Sequence, residues 1–178
     1  MPGSPDDPMI RGLVAGREEA FAALYDRFAS RLFKAAWGIL GTREDAEDAV
    51  QDVFVGVVQA RKTLAAVQNL NAYLFAALYR AAARRAARKK AERKLVTEMA
   101  MQPPPTISAP VLEPSGRLQR ALQTLPVEQR EVLVLKVDGG LTFDEIAQTL
   151  DISANTAASR YRYALEKLRS VLQETPHE

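Results

Sequence analysis

The sequence contains no cysteine, and its single histidine, His177, lies close to the C-terminus. Disulfide bonds, thiol nucleophiles and the common Cys/His zinc sites are therefore excluded. No charge-poor apolar run approaches the roughly 20 residues that span a bilayer. The N-terminal residues MPGSPDDPM also lack the basic-then-apolar pattern of a secretory signal. These absences predict a cytoplasmic protein without membrane insertion, metal or cofactor.

A phosphate-binding loop is also missing from the sequence. The carboxylates between Glu44 and Asp52 suggest magnesium-dependent nucleotide hydrolysis as one alternative function. That chemistry needs a glycine-rich loop with a nearby lysine and serine or threonine, and no segment has this spacing. The sequence therefore favours a protein that is not an enzyme and has no catalytic residues.

The alternating pattern of β-strands is nearly absent as well, and alanine-rich amphipathic runs predict an all-α protein. Five of the ten prolines lie in the segment QPPPTISAPVLEPSG, a composition that ends a helix and suits a stiff linker. We predict two small helical domains whose spacing can adjust. The predicted parts are a disordered N-terminus (1–8), an N-terminal domain (9–94), a Pro-rich linker (95–116), a C-terminal domain (117–173) and a tail (174–178).

Helical periodicity is clear in the N-terminal part. Apolar residues recur at three and four positions from Glu18 to Gly41, which predicts a long helix with a glycine stop. Thr42 is a favourable N-cap for a second helix. The residues predicted to face the core are Phe21, Leu24, Tyr25, Phe28, Leu32, Ala35, Ala36 and Ile39, followed by Ala46, Ala49, Val50, Val53, Phe54, Val57 and Val58.

Carboxylates dominate the other side of the second helix. At about 100° per residue, they lie within about 160° of one another. These residues are Glu44, Asp45, Glu47, Asp48 and Asp52, with Gln51 among them. The first-turn carboxylates suit the helix dipole, but Asp48 and Asp52 lie beyond it and repel mildly at a spacing of four. A basic protein partner would explain them, and a solvated acidic face is the alternative.

A basic helix is predicted next, starting at Asn71 after a partly helical connection and continuing at least to Lys90. Residues 80–94 contain eight basic side chains and one acidic side chain, a local charge of +7. Aromatic rings followed by arginines suit single-stranded nucleic acid, although core packing is the alternative and is favoured for Phe75. The candidate contacts are Tyr73, Tyr79, Arg80, Arg84, Arg85 and Arg88.

The segment LTFDEIAQTLDISANTAASRYRYALEKL (141–168) has the spacing of a helix-turn-helix. Thr142 and Glu145 can form a capping box, and Ser153 can cap the second helix. Ala157, Tyr161, Ala164, Leu165 and Leu168 are predicted to face the core. The candidate duplex-DNA contacts near the start of that helix are Asn155, Thr156, Ser159, Arg160 and Arg162. An ordinary helical hairpin is the alternative.

Taken together, these parts resemble the sigma-70 family of bacterial RNA polymerase sigma factors, specifically the extracytoplasmic-function (ECF) type. The resemblance is carried by EEAFAALYDRF (18–28), DAEDAVQDVF (45–54), NLNAYLFAALYRAAARR (69–85) and LPVEQREVLVLKVDGGLTFDEIAQTLDISANTAASRYRYALEKLR (125–169). It implies a sigma region 2-like bundle followed by a region 4-like helix-turn-helix. The family often has glycine where this chain has Asp151, a residue that can adopt the same left-handed conformation.

The resemblance also implies partners and site residues. Asp48, Gln51 and Asp52 are expected to bind the clamp helices of a catalytic subunit of core RNA polymerase. Residues 65–88 are expected to hold the melted −10 promoter element, and the helix after Ser153 to read the −35 element as duplex. Family members are often inhibited by an anti-sigma factor, which makes such a protein a possible partner.

The expected function is thus initiation of transcription by a sigma factor. The alternative is a conventional helix-turn-helix regulator acting without polymerase. Such a regulator would not need the acidic face or the aromatic and basic helix, and it usually dimerises on a palindrome.

Overall fold

The computed structural model describes residues 8–99 and 116–173. Every regular element in these ranges is helical, which confirms the predicted all-α class. The helices are α1 (Pro8–Val14), α2 (Glu18–Leu40), α3 (Arg43–Gln59), a 3₁₀ helix (Arg61–Ala66), α4 (Leu70–Met99), α5 (Gly116–Gln123), α6 (Val127–Val137), α7 (Phe143–Leu150) and α8 (Ala154–Gln173). In these ranges, no helix has the length and apolarity needed to cross a bilayer.

The N-terminal helices begin and end where local sequence signals place them. α2 stops at Gly41, which has φ 82° and donates its N–H to the Trp37 carbonyl at 2.9 Å. The Thr42 hydroxyl oxygen then accepts the Asp45 N–H at 3.4 Å and caps α3. α1 was not predicted, yet its Ile10 and Leu13 are fully buried and anchor it to the bundle.

Two boundaries differ from the sequence prediction. α4 continues to Met99, so residues 95–99 belong to the helix rather than to the predicted linker. Pro8, assigned to the disordered N-terminus, begins α1. The proline-rich segment within 100–115, the first seven residues and the predicted tail lie outside the described residues.

The N-terminal core is built by α2, α3 and α4. Leu32, Leu74 and Phe75 are fully buried in it, which confirms the expectation for Phe75. Tyr25 and Val58 were predicted to face the core but are 57% and 51% exposed. The apolar stripes of α2 and α3 are wider than the faces that neighbouring helices cover, so their edges remain in solvent.

The C-terminal unit contains the predicted helix-turn-helix. Thr142 and Glu145 form a complete capping box, and the Ser153 hydroxyl oxygen accepts the Thr156 N–H at 3.0 Å. Asp151 has φ 54° and ψ 51°, the left-handed conformation expected at this turn. Pro126 is the N-cap of α6.

The small core of this unit contains Ala121, Leu133, Ala164 and Leu168. Leu165 was predicted to face the core but is 40% exposed, and Leu118 and Val137 are also exposed, at 53% and 63%. A small core of short helices covers only a narrow stripe of each helix, so apolar residues at the stripe edge stay outside.

The N-terminal and C-terminal units also pack against each other. Val134, Leu135 and Leu141 belong to the same buried cluster as Phe75. A Cβ atom added at Gly139 would lie 3.1 Å from a ring carbon of Phe75 and 2.4 Å from the Leu135 carbonyl oxygen. The glycine therefore allows the α6–α7 turn to approach α4 closely. This shared core differs from the two units of adjustable spacing expected from the linker composition.

Hydrogen bonds to backbone carbonyls reinforce this interface. Arg31 donates to the carbonyls of Asp138 and Gly139 at 3.1 and 2.9 Å, and its guanidinium lies 5.3 Å from the Phe75 ring centroid. Asn71 donates to the Gly139 carbonyl at 2.8 Å. These two carbonyls follow the end of α6 and have no helical partner, so the Arg31 and Asn71 side chains satisfy the backbone of the α6–α7 turn.

Candidate functional site

The three residues predicted to bind polymerase lie on one exposed face of α3. Asp48, Gln51 and Asp52 are all exposed. Asp48 accepts a hydrogen bond from Arg85 Nη1 at 3.0 Å, and Asp52 accepts one from Arg85 Nη2 at 2.9 Å. One guanidinium on α4 therefore bridges two carboxylates one turn apart on α3. The Asp48 and Asp52 side chains remain 53% and 49% exposed, so both are accessible to another partner.

Asp45 differs from the prediction that all carboxylates of this helix share the exposed face. It is 9% exposed and points toward α4, where the Lys89 ammonium and the Thr42 hydroxyl both donate to Oδ2. Burial raises the pKa of Asp45, but these hydrogen bonds outweigh it, so the pKa lies below its ordinary value. Its position in the first turn of α3 turns the carboxylate back toward the N-cap, and it therefore has a structural role.

An apolar groove borders the acidic face. Its volume is about 600 Å³, and it is lined by Tyr25, Phe33, Phe54 and Val55 as well as Gln51. The Tyr25 and Phe54 rings lie 5.1 Å apart, and Val55 is 47% exposed. Sequence reasoning missed this groove because it assigned Tyr25 and Phe54 to the core. The signal that could have found it was Val55, an apolar residue outside the predicted stripe of α3.

The basic helix α4 presents its predicted nucleic-acid contacts on different faces. Tyr73, Arg80 and Arg84 line one cleft of about 250 Å³ between α3 and α4. Arg88 is exposed and pairs with Glu92 of its own helix at 3.0 Å. Arg85 is directed to the α3 carboxylates. The structure thus brings together only three of the six residues predicted to contact melted DNA.

Tyr79 lies on the side of α4 that faces the C-terminal unit. Burial raises the pKa of its hydroxyl, the negative charge of Glu131 raises it further, and the positive charge of Arg160 lowers it. Such electrostatic coupling requires proximity between these three residues. Tyr79, predicted to contact melted DNA, therefore lies near Arg160, predicted to contact duplex DNA, at the interface between the two units.

The start of α8 holds the remaining predicted DNA contacts. Asn155 and Arg162 are exposed, and the Arg162 guanidinium lies 5.6 Å from the Tyr163 ring centroid. Thr156 and Ser153 share a hydrogen bond of 2.8 Å between their hydroxyls. The Ser159 hydroxyl donates to the Asn155 carbonyl of its own helix at 2.6 Å. Asn155 and Arg162 are the most accessible members of the predicted set.

Glu131 is a titratable residue that sequence reasoning did not single out. Burial raises its pKa to about 7, the nearby Glu128 carboxylate adds to the shift, and Arg130 and Arg160 oppose it. Together with Arg130, it lines a cleft of about 440 Å³ that α4 also borders. Its ionisation is therefore unfavourable in the packed arrangement.

We expect Glu131→Gln to stabilise the protein at pH 8 by about 1–3 kcal/mol and to have little effect at about pH 4. Glu131 has a pKa near 7 when folded and an ordinary value of 4.5. Between these two pH values Glu131 is ionised in the unfolded chain but protonated in the folded protein, so the free energy of unfolding falls as the pH rises. Above about pH 7 this loss of stability is constant. Urea unfolding at both pH values measures the change in the free energy of unfolding. Glu166→Gln, at an exposed position of α8, is the matched control, and an equal effect of Glu131→Gln at both pH values would contradict the expectation.

Comparisons with known proteins agree with this arrangement of parts. Residues 24–92 match the family description "Sigma-70 region 2", and residues 115–168 match "Sigma-70, region 4". The first range covers most of α2 to α4, and the second covers α5 to most of α8. The two matches coincide with the two helical units.

Full-length relatives extend this similarity. The chain is 30% identical over 171 residues to the ECF RNA polymerase sigma factor SigL of Mycobacterium tuberculosis, covering 93% of this chain and 96% of SigL. It is 24% identical over 178 residues to the ECF RNA polymerase sigma factor SigW of Bacillus subtilis, covering 93% and 95%, respectively.

Two solved structures share the fold. One is CnrH in complex with the cytosolic domain of CnrY, with a TM-score of 0.70, 23% identity, and coverage of 97% of this chain and 100% of CnrH. The other is the sigma factor RpoE in complex with the anti-sigma factor NepR from Bartonella quintana, with a TM-score of 0.69, 22% identity, and coverage of 88% and 98%. On the full-length similarity to SigL and the two matching regions, this chain belongs to the ECF group of the sigma-70 family.

Proposed function

We propose that this protein directs core RNA polymerase to promoters by docking the exposed face of α3 on the clamp helices of the catalytic subunit. The observation that carries the proposal is the half-exposed carboxylate pair of Asp48 and Asp52, set beside Gln51 and the apolar groove. An apolar patch with a charged, accessible rim is typical of a protein interface. A basic helix of polymerase would meet the carboxylates while its apolar side chains enter the groove.

The second part of the proposal concerns melted promoter DNA. The cleft lined by Tyr73, Arg80 and Arg84 combines a ring with two guanidinium groups. A tyrosine ring can stack on an unpaired base, and the arginines can contact the adjacent phosphates. We assign the −10 element to this cleft. Exposed Arg88 extends this surface along α4, and Tyr79 becomes accessible to DNA when the two units separate.

The −35 element is assigned to the first turns of α8. A recognition helix reads a major groove with side chains near its N-terminus, where Asn155, Thr156, Ser159, Arg160 and Arg162 lie. Exposed Asn155 and Arg162 are the first candidates for base contacts, because asparagine pairs well with adenine and arginine with guanine.

The packing of the two units against each other implies that polymerase binding precedes DNA binding. Tyr79 and Arg160 lie near each other at the interface, whereas the α3 face is exposed in the same arrangement. Polymerase can therefore dock on α3 before the units separate and make Tyr79 and Arg160 accessible to DNA. An anti-sigma factor that holds the units together would inhibit the protein, and the complexes of CnrH with CnrY and RpoE with NepR make such a partner part of the proposal.

Transcription reconstituted from purified components tests the function. Core polymerase is incubated with genomic DNA of the source organism, with and without this protein, and the 5′ ends of the transcripts are sequenced. We expect defined start sites, preceded by a shared pair of upstream sequence elements, only when the protein is present. The protein is expected to act in the cytoplasm and without catalytic residues of its own.

The alternative of a conventional regulator predicts a different result. The protein would then bind specific duplex DNA, usually a palindrome, without polymerase. The same start sites with and without the protein, together with specific binding by the protein alone, would overturn the sigma-factor proposal.

A further inference from the structure

We propose that Arg85 is a positioning residue of the polymerase-binding face and not a contact to DNA. The inference rests on the proposed function of Asp48 and Asp52. It reassigns a side chain that the sequence places within a basic run and that was predicted to contact melted promoter DNA.

The geometry separates Arg85 from the other arginines of α4. Its two terminal nitrogens bind two different carboxylates, at 3.0 Å to Asp48 and 2.9 Å to Asp52. Only 22% of the Arg85 side chain is exposed, whereas 78% of the Arg88 side chain is exposed. Arg85 Nε is buried and has no hydrogen-bond partner. The guanidinium is thus inserted between α3 and α4, where a DNA phosphate has little access.

Arg84 provides the contrast. It is exposed and lines the cleft that also contains Tyr73 and Arg80. Adjacent residues of a helix point about 100° apart, so Arg85 binds the two carboxylates, whereas Arg84 lines the cleft that Asp52 borders from α3. The +7 charge of residues 80–94 is therefore divided between DNA and α3.

The bridge has a physical effect on the acidic face. Two carboxylates four positions apart on a helix repel one another, and free aspartate side chains sample several rotamers. Arg85 removes the repulsion and holds one oxygen, Oδ2, of each carboxylate. The accessible part of each carboxylate is then oriented before polymerase arrives, which reduces the ordering cost of binding.

Lys89 has a related role one turn further along α4. Its ammonium binds the buried Asp45 at the start of α3. Two cations at a spacing of four therefore fix α3 against α4 along the length of the acidic face. Lys89 binds a buried carboxylate, whereas Arg85 orients two carboxylates that are about half exposed and accessible to a partner.

The test compares Arg85→Gln with Arg84→Gln in the full-length protein. Glutamine keeps part of the aliphatic stem and removes the charge in both variants. Affinity for core polymerase is measured by fluorescence titration, and strand opening by permanganate footprinting at saturating core. We expect Arg85→Gln to weaken core binding by about tenfold while opening per bound complex is unchanged. Arg84→Gln should impair opening and leave core affinity unchanged.

A double-mutant cycle distinguishes positioning from a general loss of stability. In an Asp48→Asn/Asp52→Asn background, Arg85→Gln should have no further effect on core affinity, because the groups it orients no longer carry charge. Arg85→Lys, which reaches only one carboxylate, should restore part of the affinity. Urea unfolding of each variant shows whether a change in core affinity comes from a loss of stability.

Three outcomes would overturn the inference. These are unchanged or tighter core binding by Arg85→Gln, an equal loss in the Asp48→Asn/Asp52→Asn background, and an opening defect equal to that of Arg84→Gln. Failure of the unsubstituted protein to bind core would instead overturn the proposed function, and this inference with it.

Discussion

We expect the variant Asp48→Lys/Asp52→Lys to lose association with core RNA polymerase, with Kd raised by at least about 100-fold. Both side chains are about half exposed and lie beside Gln51 on the α3 face. Lysines at these positions would repel a basic partner and would also repel Arg85, so the face would change in both charge and geometry. Gel filtration with core and fluorescence titration measure the weakening.

The matched control reverses two carboxylates elsewhere. Glu19 on α2 and Glu166 on α8 are both exposed, and Glu19→Lys/Glu166→Lys changes the net charge by the same amount. This variant should retain core binding. Circular dichroism and urea unfolding verify the fold of both variants. Unchanged association of Asp48→Lys/Asp52→Lys with core would contradict the assignment of this face to polymerase.

Local signals in the sequence were sufficient to predict most helix boundaries. The Gly41 stop and the Thr42 cap depend on interactions within a few residues, and so does the capping box of Thr142 and Glu145. The left-handed conformation of Asp151 is equally local. Short-range hydrogen bonds and backbone preferences follow from residue type and spacing, so these features could be read before any tertiary arrangement was known.

Long-range packing could not be predicted in the same way. Arg31 is separated by more than 100 residues from the carbonyls of Asp138 and Gly139 that it binds. Helical periodicity identifies an apolar stripe but not the element that covers it, and Tyr25 therefore remained in solvent against expectation. The orientation of Asp45 toward Lys89 likewise depends on how α4 crosses α3.

The same limitation applies to the candidate DNA contacts. A basic run identifies a segment that is attracted to phosphate, but every member contributes equally to its charge. Only the crossing of α3 and α4 assigns Arg84 to a cleft and Arg85 to the carboxylates. The sequence therefore predicts the basic helix, whereas the position of each side chain depends on how the two helices cross.

Variants of the two DNA-binding surfaces should show defects in different assays. We expect Arg80→Ala/Arg84→Ala to impair strand opening by the holoenzyme and to lower the slope of the salt dependence by about two, one for each phosphate that is no longer neutralised. Both arginines line the cleft with Tyr73 on α4. Binding of the closed −35 duplex should be nearly unchanged, because that element is assigned to α8.

The complementary variant Arg160→Ala/Arg162→Ala should weaken duplex binding by about 1–3 kcal/mol for each side chain that reads a base. Strand opening at saturating holoenzyme should be retained. Permanganate footprinting of the melted region and a duplex-binding assay on the same holoenzyme measure both effects. Arg17→Ala/Arg169→Ala removes two exposed charges elsewhere and is the control for nonspecific attraction. Impairment of opening and of duplex binding in equal proportion in both variants would show that one continuous surface, and not two, contacts the promoter.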